Sequence, residues 1–86
     1  MAELIKEFRG IPRHIAEANI RSLPDARFVN GAYVGDGWRI TLQNLTPVTL
    51  GSLTLGRVRF VLRANTDETV TRVWELLAPS FLRGGG

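Results

Sequence analysis

Eighty-six residues, 44% hydrophobic and 22% charged, form one domain, because half this length buries too little apolar surface to hold together without disulfides or metals. With no cysteine, a disulfide framework, thiolate metal ligation and cysteine nucleophiles are excluded, and with neither a secretory-signal layout nor an apolar run of roughly 20 residues a membrane-spanning helix is not expected. The expected place is the cytoplasm, and the net charge of +3 is a mild bias whose meaning depends on where the arginines fall.

Leu4 to Arg9 alternate roughly, with Leu4 and Phe8 on one side and Glu7 and Arg9 on the other, which predicts a first strand. Gly10-Ile11-Pro12 breaks it, and proline suits a helix start because its missing N–H would be unpaired there. The spacing predicts a helix over Pro12–Ser22, with Ile15, Ala16, Asn19, Ile20 and Leu23 facing a sheet and Arg13, His14, Glu17 and Arg21 facing away. Ala26 to Val34 reads as a second strand interrupted at Asn30-Gly31, by a hairpin or, preferably, a bulge. After a turn at Gly35-Asp36-Gly37, Trp38, Ile40 and Leu42 alternate with Arg39, Thr41 and Gln43 in a half-buried strand. Asn44 to Pro47 reads as a turn, Val48 to Leu55 as a strand with Gly51 inside it, and Val58, Phe60 and Leu62 alternate with Arg57, Arg59 and Arg63 in a fifth strand.

Asn65-Thr66-Asp67 supplies helix-capping oxygens, and Val70, Val73, Trp74, Leu77 and Phe81 recur on one face of a second helix, which Pro79 should end or kink before a final turn over Ser80–Leu82. The fold class is α+β: a single domain over residues 1–83, order β-α-β-β-β-β-α, with an antiparallel sheet and two helices on one face. Residues 84–86 are expected to be a flexible glycine tail.

No catalytic constellation is evident. His14, the single histidine, lies on a polar helix arc without an orienting partner, and a metal site needs several ligands. Asn19 interrupts an apolar arc, so its amide is expected to bond a strand-end backbone group. The glycines from Gly31 to Gly37 lack the lysine and spacing of a phosphate-binding loop, and Ser22, Ser52 and Ser80 have no neighbouring base. Arg39, Arg57, Arg59 and Arg63 share the face opposite Trp38 and Phe60, a basic surface for phosphates, nucleic acid or an acidic protein. A solvated face is the simpler reading, because stacking aromatics are absent there unless Tyr33 joins it. Val61 on the same face hints at a covering partner.

The residues Phe8, Gly10 and Pro12, the segment Pro47 to Leu55, the alternation Val58 to Leu62, Trp74 and the ending Arg83-Gly84-Gly85-Gly86 together resemble a family of C-terminal domains attached to MoaD-related proteins. Those proteins are relatives of the sulfur-carrying subunit of molybdopterin synthase. The resemblance implies a TBP-like, helix-grip fold. It also implies a link to molybdenum-cofactor biosynthesis or sulfur transfer, with a carrier-activating or molybdopterin-synthesis protein as partner. The side-chain-free ending is similar to the one that ubiquitin-like and sulfur-carrier proteins present for activation, which makes Gly85 and Gly86 a candidate activated terminus, though three terminal glycines are also what plain disorder looks like. The sequence departs from the fused form in having no β-grasp carrier domain ahead of Leu4.

The function expected is thus a non-catalytic accessory domain without cofactor or metal, acting through protein contacts and the carboxylate of Gly86, with a homodimer through an exposed strand edge also in view. The alternatives are a small-ligand module using the concavity between sheet and helices, and nucleic-acid binding on the arginine face.

Overall fold

The computed structural model describes the backbone of residues 1–84 and the side chains of residues 1–81. Seven elements follow in the order β1 (Ala2–Arg9), α1 (Arg13–Arg21), β2 (Arg27–Val29), β3 (Ala32–Gly35), β4 (Trp38–Leu50), β5 (Leu53–Ala64) and α2 (Asp67–Gly84). The five strands form one antiparallel sheet in the order β1-β5-β4-β3-β2. The alternation at Trp38–Gln43 and Val58–Arg63 sets its two faces: Ile40 opposes Leu62, and Arg39 opposes Arg63. One face packs on the helices. Ala16 and Ile20 of α1 and Val73, Leu77 and Phe81 of α2 join Tyr33, Trp38, Ile40, Phe60 and Leu62 in a single buried cluster.

Aromatic rings organise that core. Phe8 and Phe81 stack at 4.4 Å between centroids, and Phe60, without solvent exposure, meets both edge-on at 5.7 Å. The half-buried Trp74 lies parallel to Phe8 and Phe81, with the Lys6 ammonium 5.5 Å from a ring centroid. The final turn of α2 therefore docks on the strand that begins the chain.

Several boundaries differ from those the sequence suggests. Asn30-Gly31 is a two-residue hairpin and not a bulge: both residues have positive φ (50° and 80°), and Val29 opposes Ala32 across the turn. Asn44–Pro47 is not a turn, since β4 runs through it with a register shift between Leu45 and Val48, the irregularity at which a proline without N–H is tolerated. Gly51 does not lie inside a strand but turns the β4–β5 hairpin with Ser52, at φ 62°, between Leu50 and Leu53. β4, 13 residues long, extends roughly 43 Å at about 3.3 Å per residue, matching the 42 Å long axis of the molecule. Pro79 neither ends nor breaks α2. It faces solvent, as does Glu75, whose carbonyl loses the N–H partner, so water can serve that carbonyl. Ile15, expected to face the sheet, is instead 42% exposed, and Ile11 is buried ahead of the helix.

Candidate functional site

The sheet face turned away from the helices carries Arg9, Arg39, Arg57, Arg59 and Arg63 together with Glu3 and Glu7. Strand register builds it in rows: Glu3, Arg63 and Arg39; Ile5, Val61 and Thr41; Glu7, Arg59 and Gln43; Arg9, Arg57 and Leu45. All four arginines expected there, Arg39, Arg57, Arg59 and Arg63, share this face. Two acids of β1 join them. Arg57 makes a forked contact with Glu7, Nη2 to Oε1 at 2.7 Å and Nε to Oε2 at 3.2 Å, and donates through Nη1 to the Thr46 carbonyl at 3.1 Å. Arg9 Nε reaches the same Glu7 at 3.0 Å. Hydrogen bonds from Arg57 and then Arg9 lower the Glu7 pKa to about 2, and Glu7 in turn raises that of Arg57. Arg63 Nε pairs with Glu3 Oε2 at 2.6 Å.

Arg39 and Arg59 have no carboxylate within ion-pairing distance among the described residues. Between their rows lies an apolar strip in which Ile5 is 55% exposed beside the half-buried Val61. Tyr33 does not join this face. The hairpin at Asn30-Gly31 turns it to the helix side, opposite Ile40, where it is buried. Among the described residues every aromatic side chain lies on the helix side, and none offers a stacking platform on the open face.

Tyr33 instead anchors a polar relay that the sequence did not reveal. Its hydroxyl donates to Glu17 Oε2 at 2.7 Å and accepts from Arg21 Nη2 at 3.1 Å, clamping α1 to β3. Burial, then the hydrogen bond to Glu17, pushes the phenol pKa up. The i,i+4 series Arg13-Glu17-Arg21 was the available signal, but its partner lies 16 residues away in another element. His14 is exposed, and among the described residues no three His, Cys, Asp or Glu side chains group as a metal site would need. Asn19 is only half-buried, its backbone carbonyl accepts from Ser22 Oγ at 2.6 Å, and among the described residues its side-chain amide makes no hydrogen bond, so the strand-end contact expected of it is not formed.

Two solvent-open clefts flank Trp38. The larger, about 400 Å³, lies at one end of the open face and is lined by Gly35, Gly37, Trp38, Arg39, Arg63 and Asn65 among others. The smaller, about 260 Å³, lies between the α1–β2 loop and α2 and includes Asp25, Asp36 and Arg72. There the Asp36 backbone N–H donates to Asp25 Oδ2 at 2.6 Å, and this bond, with one from the Trp38 side chain, lowers the Asp25 pKa. The space between sheet and helices is filled by Phe60, Phe81, Ile20, Ile40, Leu62 and Leu77. Gly85 and Gly86 lie outside the described residues.

Residues 5–86 match the family described as archaeal MoaD-like protein. The chain belongs to that family. The match spans both helices and, apart from Glu3, the residues of the open face. No curated protein matches the chain. Among the described residues no helix is long and apolar enough to cross a membrane.

Proposed function

We propose that this chain is a non-catalytic accessory protein of molybdenum-cofactor biosynthesis or sulfur transfer, working in the cytoplasm by binding a protein partner through the open sheet face. The observation that carries this reading is the family match over residues 5–86. The geometry supports a contact surface: an apolar strip at Ile5 and Val61 lies between the two arginines, Arg39 and Arg59, that no carboxylate of the described chain neutralises. An acidic surface with a small apolar centre complements it in charge and polarity. The partner class is a carrier-activating or molybdopterin-synthesis protein. A second copy would add at β1, the longer of the two sheet edges at eight residues against three for β2.

The finer proposal is that the Gly86 carboxylate is the group activated. Incubation with the host's adenylating enzyme, ATP and a sulfur donor should replace one carboxylate oxygen by sulfur, detected by intact-protein mass spectrometry, and an unchanged mass would remove the carrier role. The contact role is tested separately by calorimetry with the same enzyme or a molybdopterin-synthesis protein. Binding that weakens in Arg59→Glu supports it, and absence of binding to either class defeats it.

A further inference from the structure

We propose that the cleft at the end of the open face, between the β3–β4 turn and the junction of β5 with α2, is a binding site for a phosphate dianion. It goes beyond the protein-contact reading and stands without it. Arg39 and Arg63 sit directly opposite one another on β4 and β5, and both line this cleft of about 400 Å³. Like charges directly opposite on neighbouring strands are destabilising, and the described residues offer the pair a single carboxylate, Glu3.

Glu3 engages Arg63 through Nε, and among the described residues the two terminal guanidinium nitrogens of Arg63 make no hydrogen bond. Arg39 has its whole fork free of carboxylates among the described residues. Two such forks converging on one anion can each donate two parallel hydrogen bonds to its oxygens, the geometry for which arginine is favoured over lysine. Two guanidiniums against one carboxylate leave the rim net positive, which selects an anion, and a phosphate has enough oxygens to serve both forks where a carboxylate has two.

The cleft wall is apolar. Trp38 is only 5% exposed, and its indole lies flat against Gly35, where any side chain would overlap the ring. Ala64 is buried beside it. These surfaces form an apolar wall on the side of the cleft facing the core, with Arg39 and Arg63, the latter 58% exposed in its side chain, standing at the open rim. Asn65, held by its backbone N–H to the Gly37 carbonyl at 3.4 Å, adds a neutral amide at the rim. The volume exceeds what one phosphate fills and falls in the range of small-molecule sites, so either free phosphate or a small phosphate monoester satisfies the chemistry.

The test is a titration of the isotope-labelled chain with inorganic phosphate, and separately with glycerol 3-phosphate, at constant ionic strength, followed by amide chemical shifts. Saturable shifts centred on Gly35, Gly37, Arg39, Arg63 and Asn65 are expected. Arg39→Gln should weaken the affinity roughly tenfold or more, the equivalent of one lost hydrogen bond to a charged group. Arg63→Lys, which keeps the charge and the Glu3 pair but removes the fork, should weaken it severalfold while leaving the thermal midpoint unchanged. Arg13→Gln, the same charge change on the helix side, should have no effect. Tighter binding of glycerol 3-phosphate marks an ester as the occupant, and equal binding marks the free ion. Shifts that do not saturate, that spread evenly over Arg57 and Arg59, or that fall as much in Arg13→Gln as in Arg39→Gln overturn the assignment.

Discussion

Replacing Gly35 by alanine should be among the most damaging one-carbon changes available to this protein. A Cβ built at Gly35 overlaps Trp38 Cε2, Cζ2 and Nε1, three atoms of a rigid ring, while the φ of Gly35 lies outside the left-handed region that favours glycine. The cost is therefore steric. The indole must swing away or the β3–β4 turn must move. An aromatic side chain of this size buries about 150–250 Å², which at about 25 cal/mol per Å² is roughly 4–6 kcal/mol if all burial is lost. Partial relief by the turn brings the expected loss to about 2–4 kcal/mol, overlapping the usual cost of overpacking a core. For a chain of this length that lowers Tm by about 10–25 °C. Urea unfolding followed by tryptophan fluorescence measures it, and native emission should shift to longer wavelength as Trp38 gains water. The control is Gly37→Ala, where nothing lies within 4 Å but φ is +79°. It should cost about 1–2 kcal/mol through the backbone alone and leave emission unchanged. Trp38→Leu combined with Gly35→Ala should be less than additive. A loss below about 0.5 kcal/mol for Gly35→Ala with unaltered emission would refute the packing argument.

Tyr33→Phe removes the hydroxyl shared by Glu17 and Arg21 and should cost about 1–2 kcal/mol in chemical denaturation, with an unchanged midpoint counting against the relay. The Tyr33 phenol itself should titrate above the ordinary tyrosine range in an ultraviolet pH titration. Glu7, with its pKa lowered from 4.5 to about 2, contributes stability that is fully present above its unfolded value and is lost as pH falls from about 4.5 through about 2. Carboxyl-carbon NMR should place its midpoint near 2, and Glu7→Gln should flatten the thermal midpoint against pH across that window. Pro79→Ala restores an N–H to the solvent side of α2 and should stabilise by about 1–3 kcal/mol, so a lower urea midpoint would mean that the proline shapes the helix's docking. Leu50→Ser with Leu53→Ser, at positions 60% and 56% exposed on the hairpin tip, should change stability by less than about 0.5 kcal/mol.

The parts of this fold legible in the sequence are those where burial on one face imposes a short period. Trp38–Gln43 and Val58–Arg63 announced both sheet faces because one side of each strand had to be apolar, and the arginine face followed directly. What failed were the places where one residue pair satisfies two geometries. Asn30-Gly31 suits a bulge or a hairpin equally, and only the opposition of Val29 to Ala32 decides between them. Pro47 and Gly51 carry turn propensity, yet a strand bulge absorbs the proline and the mirrored run Thr49-Leu50-Gly51-Ser52-Leu53-Thr54 places the true turn at its centre. The charge of the candidate face was overestimated for a related reason. Glu3 and Glu7 neutralise Arg63 and Arg57 only because β1 lies beside β5, a neighbour that local spacing cannot reveal. Tyr33 and Glu17 meet for reasons equally remote from their own segments.

The pairing of β1 with β5 also sets an order of assembly. The β4–β5 hairpin closes through a two-residue turn and forms from neighbouring residues, whereas the Glu7–Arg57 and Glu3–Arg63 bridges close loops of 50 and 60 residues. That closure entropy is repaid only once the rest of the sheet is standing. The first strand is thus expected to pair after the β4–β5 hairpin has formed, and Phe8 brings with it the ring on which Phe81 stacks. Until it docks, Phe81 lacks the ring it stacks on, so the packing of α2 at Phe81 is tied to the pairing of the first strand.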